Sequence, residues 1–183
     1  MLIARPTGVS QLAKLMEGII LFLALVLDLT LGEFPRPLHP VVWMGKSISL
    51  QARLAPRHGH RTQLVYGVVI VLLTLALFTL PAYFILTYLQ GLNTIAYVLV
   101  AALLFKSSFA LKELRQVALR IKGLLQAGDL IPARQEAQSL VKRDTRQLDE
   151  PHVVSATLES IAENTSDSVV APLFYFLFLG VPG

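Results

Sequence analysis

The stretch TQLVYGVVIVLLTLALFTLPAYFILTYLQGLNTIAYVLVAALLF, residues 62–105, decides the fold. Its 44 residues include no Asp, Glu, Lys, Arg or His. A soluble core has no need of such a run, whereas a bilayer needs about 20 apolar residues for each spanning helix. The stretch is therefore long enough for two helices joined as a hairpin. The reversal is expected at Gln90-Gly91-Leu92-Asn93, where Gly and Asn favour a turn. The first arm is expected over about residues 64–89, with Pro81 able to kink it. The second is expected up to about residue 111, with Lys106 near an interface where its aliphatic stem can snorkel.

The rest of the chain agrees with this reading. Of its 183 residues 54% are hydrophobic and 15% charged, against about 25% charged in a soluble domain. The mean hydropathy is +0.61. Disorder, a disulfide scaffold and an ordinary cytosolic enzyme are excluded. The absence of cysteine removes thiolate metal sites and Cys nucleophiles. The expected fold is all-α: a polytopic integral membrane protein with a cytoplasmic helical insert between transmembrane helices, built as a single membrane domain over residues 1–183.

Upstream, a first apolar helix is expected over about residues 15–31, with Asp28 inside it. Arg5 and Lys14 before an apolar stretch could mimic a signal peptide. Glu17 and Asp28 bracket that stretch and no cleavage-like site follows, so an uncleaved membrane helix is expected. Residues 32–61 contain Pro35, Pro37, Pro40 and Pro56, which block a long helix through Pro40. A short interfacial helix is expected over about 41–54, with Trp43 at a membrane boundary. A hairpin returns the chain to the side it left, so residues 32–61 and 112–151 share one face. Five of the 16 Lys and Arg lie in residues 36–61 and nine in 106–146. Positive-inside topology accounts for that excess and makes both segments cytoplasmic. Capture of an anionic substrate such as a nucleotide also accounts for it.

Downstream, Leu111, Leu114, Ala118, Ile121 and Leu125 recur at helical spacing. Gly128 is expected to stop that helix. Asp129 is expected to open a second one, with Ala133, Ala137, Leu140 and Val141 buried. A third is expected from Asp149, with Asp149 as cap and Pro151 in the first turn, to about Glu163. The cytoplasmic helical segment covers 112–167. Residues 168–183 start a further membrane element that ends early, so a truncated chain is expected.

Three segments could carry chemistry. In Glu159-Ser-Ile-Ala-Glu163-Asn-Thr-Ser-Asp167, steps of four place Glu159, Glu163 and Asp167 on one helix stripe. His152 lies near the same face, and Val154, Leu158 and Ile161 lie opposite. A solvated polar face would explain the stripe. Like charges at i,i+4 nevertheless repel, and the stripe leads into an apolar segment. Oxygen ligands at this density suit Mg²⁺ with bound phosphate, or general acid–base work. In Lys142-Arg143-Asp144-Thr145-Arg146…Asp149, Arg143 and Arg146 could hold phosphate or carboxylate. A hydrated turn with internal ion pairs accounts for the spacing equally well. In the third segment His39 is held between Leu38 and Pro40, and Gly45-Lys46-Ser47 has the end of a P-loop without its upstream glycine, so a Walker site is rejected.

Together these segments resemble the CobD/CbiB family, the adenosylcobinamide-phosphate synthases. The resemblance is carried by Asp28…Gly32-Glu-Phe-Pro35-Arg36-Pro-Leu-His39-Pro40…Trp43-Met-Gly45, by Lys142-Arg143-Asp144-Thr145…Leu148-Asp149-Glu150, and by Glu159-Ser-Ile-Ala-Glu163-Asn164-Thr165-Ser-Asp167…Ala171-Pro172-Leu-Phe174. Lys142 and Ser168 stand where the family commonly has Gly. The family continues beyond the length of this chain, so the chain alone is expected to be inactive. The resemblance implies a bacterial inner-membrane enzyme that uses ATP and Mg²⁺ to join the carboxylate of adenosylcobyric acid, a corrinoid, to aminopropanol or its O-phosphate. An acyl phosphate is the chemically expected intermediate. Glu159, Glu163 and Asp167 would hold Mg²⁺ and shape the site. Asp144, Asp149 and His39 would orient groups or transfer protons. Arg143, Arg36, Thr145, Asn164 and Thr165 would bind substrate. The lipid bilayer is the remaining partner; no nucleic acid, haem, flavin or zinc is expected. A membrane sensor or transporter of the related AmpE-like type is the alternative.

Overall fold

The structure is a computed structural model that describes residues 8–56 and 59–181. It is helical throughout, with no strand among the described residues. The helices are α1 (Gly8–Leu31), α2 (Pro40–Arg53), α3 (His60–Leu92), α4 (Thr94–Lys106), α5 (Leu111–Gln126), α6 (Leu130–Leu140), α7 (Glu150–Thr165) and α8 (Ala171–Leu179). A 3₁₀ turn, Arg36–Leu38, precedes α2, and a π-helical segment, Ser166–Val170, joins α7 to α8. Among the described residues two compact units form: residues 8–27, 34–56, 59–107 and 175–181, and residues 28–33 and 108–174.

In the first unit, α3 runs unbroken through Pro81 and Gly91 for 33 residues, longer than the expected arm. The break falls at Asn93 alone. Its side chain accepts bonds from the amides of Ile95 (2.9 Å) and Ala96 (3.1 Å), satisfying donors that the start of α4 would otherwise leave bare. Tyr97 of α4 lines one pocket with Tyr83, Leu86 and Thr87 of α3, so the chain doubles back as expected. Most apolar side chains of α3 stay exposed; Leu64 is 61% and Phe84 65% accessible. Among the described residues, His60–Leu92 and Thr94–Gln126 are long and apolar enough to cross a membrane.

Helix α2 starts at Pro40, whose missing N–H costs nothing in a first turn. It packs on α3: Tyr66 donates to the carbonyl of Gln51 (2.8 Å), and Gln51 donates to the Thr74 hydroxyl (3.2 Å). Trp43 is exposed and its indole donates to the Pro37 carbonyl (2.7 Å). Lys106 does not snorkel. It is buried, with its ammonium 4.1 Å from the centre of the Phe34 ring, where the π face partly replaces lost hydration.

The second unit packs α5, α6 and α7 around Val117, Ile121, Ala137 and Val153, with Leu125, Leu130, Leu140 and Leu148 at the margin. Gly128 ends α5 at φ 81°. The amide of Asp129 reaches the carbonyl of Leu124 (2.9 Å) and that of Gly128 reaches Leu125 (3.0 Å), the paired bonds of a Schellman closure. Asp129 precedes α6 as expected but makes no side-chain cap. At α5, Ala110 offers no capping side chain. The buried carboxylate of Asp28 accepts from the Lys112 amide instead (3.2 Å), while Lys112 Nζ donates to the Thr30 carbonyl (2.6 Å). Asp28 is thus a cap supplied from 84 residues away.

The buried stripe of α7 is Val153, Ala156, Thr157 and Ser160, while Val154 and Leu158 are exposed. Val154 and Leu158 instead line an open groove with Ala118, Leu119 and Ile121 of α5. The helix continues from α7 through the π turn into α8. Pro172 cannot donate to the carbonyl of Ser168, and the wider π turn just upstream accommodates it.

Ile121 is almost wholly buried in the second unit's core. Ile121→Ala should cost about 2–5 kcal/mol by loss of burial and creation of a cavity, read as a lower unfolding midpoint of the purified protein in detergent.

Candidate functional site

The end of α6 and the following loop are held by Gln138. Its amide donates to the carbonyls of Val141 and Arg143 (both 3.0 Å) and its oxygen accepts from the Thr145 amide (3.0 Å). Thr145 is buried, and its hydroxyl donates to the Arg134 carbonyl (2.7 Å). Thr145 therefore sits as a fastening of the loop to α6. Gln138 was not legible as a site residue, because an exposed glutamine on a polar helix face carries no pattern of its own.

Ser160 fixes the same loop to α7. It donates to the carbonyl of Leu140 (2.8 Å), the last residue of α6. Asn164 donates to the carbonyl (2.8 Å) and the hydroxyl (3.0 Å) of Ser160. Over this anchor Arg143 Nη2 lies 2.9 Å from Glu159 Oε2. Both side chains are more than half exposed, so the pair contributes at most about 1 kcal/mol and chiefly orients the guanidinium.

A cavity of about 370 Å³ results, lined by Lys142, Arg143, Glu159, Ser160, Glu163, Asn164 and Asp167 together with Leu140, Val141 and Ala156. The acidic stripe expected from four-residue spacing is thus gathered with Arg143 and Asn164 in one place. The π turn keeps Asp167 in line, since more residues per turn reduce the drift of a four-residue step. Thr165 borders the turn, and its hydroxyl donates to the Ile161 carbonyl (2.7 Å).

The three carboxylates do not converge on one point. From Glu159 to Asp167 the helix rises about 12 Å, so one ion can meet at most two neighbouring members. Among the described residues no group of three His, Asp or Glu could hold a metal ion. A three-carboxylate protein cage is therefore not what this stripe builds. Mg²⁺ does not require one: it commonly takes one or two carboxylates and completes its shell with water and substrate phosphates. Glu163 with either neighbour fits that pattern.

The remaining expected residues have their own settings. The Asp144 carboxylate is gripped by the Arg146 guanidinium (2.7–3.1 Å) and accepts the Arg146 amide (3.0 Å). These hydrogen bonds push Asp144 down to about 2 and Arg146 up. An internally paired turn thus describes these two residues. Asp149 caps α7 as expected, accepting from the His152 amide (3.0 Å), and its carboxylate contacts the His152 ring. The His152 bonds lower its pKa. His39 lies in the other unit, edge-on to Phe34 at 6.2 Å, with Nδ1 buried and unbonded among the described residues. The Arg36 side chain lies outside the described residues.

The family model for the CobD/CbiB protein matches residues 21–183. The chain belongs to the CobD/CbiB family. It is 50% identical over 169 residues to "Cobalamin biosynthesis protein CobD" of Dehalococcoides mccartyi, covering 92% of this chain and 55% of that protein. It is 37% identical over 168 residues to "Probable cobalamin biosynthesis protein CobD" of Methanothermobacter thermautotrophicus, covering 91% and 53%. A protein of the same name from Thermococcus kodakarensis is 41% identical over 167 residues, covering 88% of this chain and 52% of that protein. The chain thus spans about half the length of the curated relatives it matches. No solved structure matches it.

The Asp144–Arg146 grip sets a pH dependence. A carboxylate with a depressed pKa stabilises the fold above its ordinary value of 3.8, and that contribution is lost as pH falls towards about 2. Arg146→Ala should return the Asp144 titration to the ordinary carboxylate range, followed by the NMR shift of its carboxyl carbon.

Proposed function

We propose that this CobD/CbiB protein acts in cobalamin biosynthesis as an ATP-dependent acid–amine ligase, joining the corrinoid carboxylate of adenosylcobyric acid to aminopropanol or its O-phosphate. We place α3 and the stretch beginning at α4 in the bacterial inner membrane, with both basic segments cytoplasmic. The observation that supports this reading is the single pocket in which Arg143, Glu159, Glu163, Asn164 and Asp167 meet.

Chemically, the pocket suits two tasks. An amine arrives as an ammonium ion and must lose a proton before it attacks. Glu163 and Asp167 attract the ammonium and can accept that proton. Asp144 is less suited to this work, since Arg146 holds its carboxylate ionised and occupied. Arg143, oriented by Glu159, presents donors to an anionic oxygen. Glu163 with Glu159 or Asp167 would hold Mg²⁺. When bound, ATP with Mg²⁺ supplies the activation that turns a carboxylate oxygen into a leaving group. Asn164, bonded to Ser160, stiffens the pocket wall.

The test is complementation of a strain lacking the synthase with the full-length parent protein. The parent should restore cobalamin-dependent growth, and Glu163→Gln should lower ligase activity in its membranes by about 10²-fold or more. Full activity of the variant would remove Glu163 from the site. Failure of the unmutated parent would overturn the ligase reading and favour a sensor or transporter.

A further inference from the structure

Lys142 borders two concavities. One is the acidic pocket above. The other, of about 860 Å³, is lined by Arg134, Gln135, Gln138, Lys142, Arg146 and Ile131, with Asp144 and Thr145 at its wall. Three cations face one carboxylate there, whereas the acidic pocket sets three carboxylates against Lys142 and Arg143. A concavity in which one sign of charge predominates raises the local concentration of the opposite ion.

Two of the three cations are positioned in advance. Arg146 is forked onto Asp144, and Arg134 Nε donates to the Leu148 carbonyl at 2.6 Å. Asp144 offsets one positive charge but fixes the plane of the guanidinium, which lowers the ordering cost of binding. Gln138 holds the loop that carries Lys142 and Arg146. Ile131 is largely exposed on the same wall and offers an apolar surface beside the charges. The volume lies in the range of small-molecule sites.

We infer that this basic concavity seats a polyphosphate chain, the nucleoside triphosphate of the ligation proposed above. Its terminal phosphate lies towards the acidic pocket, beside the carboxylates that would hold Mg²⁺, and Lys142, where the family commonly has Gly, adds a contact of this chain's own. The inference rests on the ligase reading but assigns residues outside the acidic stripe: Arg134, Lys142 and Arg146. A polyanion in the acidic pocket alone would face Glu159, Glu163 and Asp167 at close range, which is repulsive without a cation between.

The test is equilibrium dialysis of labelled ATP, with Mg²⁺, against the purified full-length parent protein in detergent. Lys142→Gln and Arg146→Gln should each weaken binding about tenfold, and Lys142→Arg should retain it. Lys122→Gln, on the groove between α5 and α7, should leave it unchanged. Inorganic tripolyphosphate should compete well and orthophosphate poorly. Lys142 is an exposed loop residue, so its substitution tests the charge without disturbing the core. Parental affinity in the double variant Lys142→Gln/Arg146→Gln overturns the inference, as does a loss confined to Glu163→Gln. If the parent complements while the double variant binds normally, the seat is wrong and the ligase reading stands. If the parent neither complements nor binds ATP, both fall.

Discussion

The bond from the Ser160 hydroxyl to the carbonyl of Leu140 governs the candidate site. The last carbonyls of a helix have no partner within it. Here one is satisfied from α7, which brings the end of α6 against the helix that carries the carboxylates. Gln138 then bonds the next turns of backbone. The loop leaves α6 with its direction settled, so that Arg143 meets Glu159 and Lys142 stands between an acidic and a basic concavity. A larger residue at 160 would hold the helices apart and remove the donor at once. The local chemistry therefore depends on a small buried hydroxyl that reacts with nothing.

The two units solve different problems. The second unit buries a modest apolar core between three amphipathic helices and leaves most of its charged residues exposed. The first leaves the apolar side chains of α3 exposed along its length and keeps its polar contacts at α2 and at the Asn93 turn. Hydrogen bonding within α3 satisfies its backbone whatever solvent surrounds it, which is the condition a bilayer imposes on any spanning segment. Asp28 shows what a buried charge does in such a chain: it closes the N-terminus of α5, where the helix dipole favours a carboxylate.

The helices themselves were largely legible, because each has a local cause. Pro40 opens α2, Asn93 separates α3 from α4, Gly128 ends α5, and Asp149 caps α7. The acidic stripe was legible because helical spacing alone puts Glu159 and Glu163 on one face. One feature was misread, and it involves a partner far away in sequence: Lys106 is buried against Phe34 instead of snorkelling. The buried face of α7, Val153, Ala156, Thr157 and Ser160, and the π turn ahead of Pro172 carried no signal in residue spacing.

By itself, then, the sequence determined the helical class, the uncharged hairpin, the family and the residues that bear charge. Those properties follow from short-range periodicity, from hydropathy and from ordered motifs, all of which are written along the chain. Only the tertiary structure decided which charges act together. It paired Asp144 with Arg146, set Arg143 over Glu159, sent Asp28 to cap a distant helix and gave Arg134 a place beside Lys142. Such choices depend on how closely helices approach and on which backbone groups are left without partners at their ends, and neither can be counted from residue spacing.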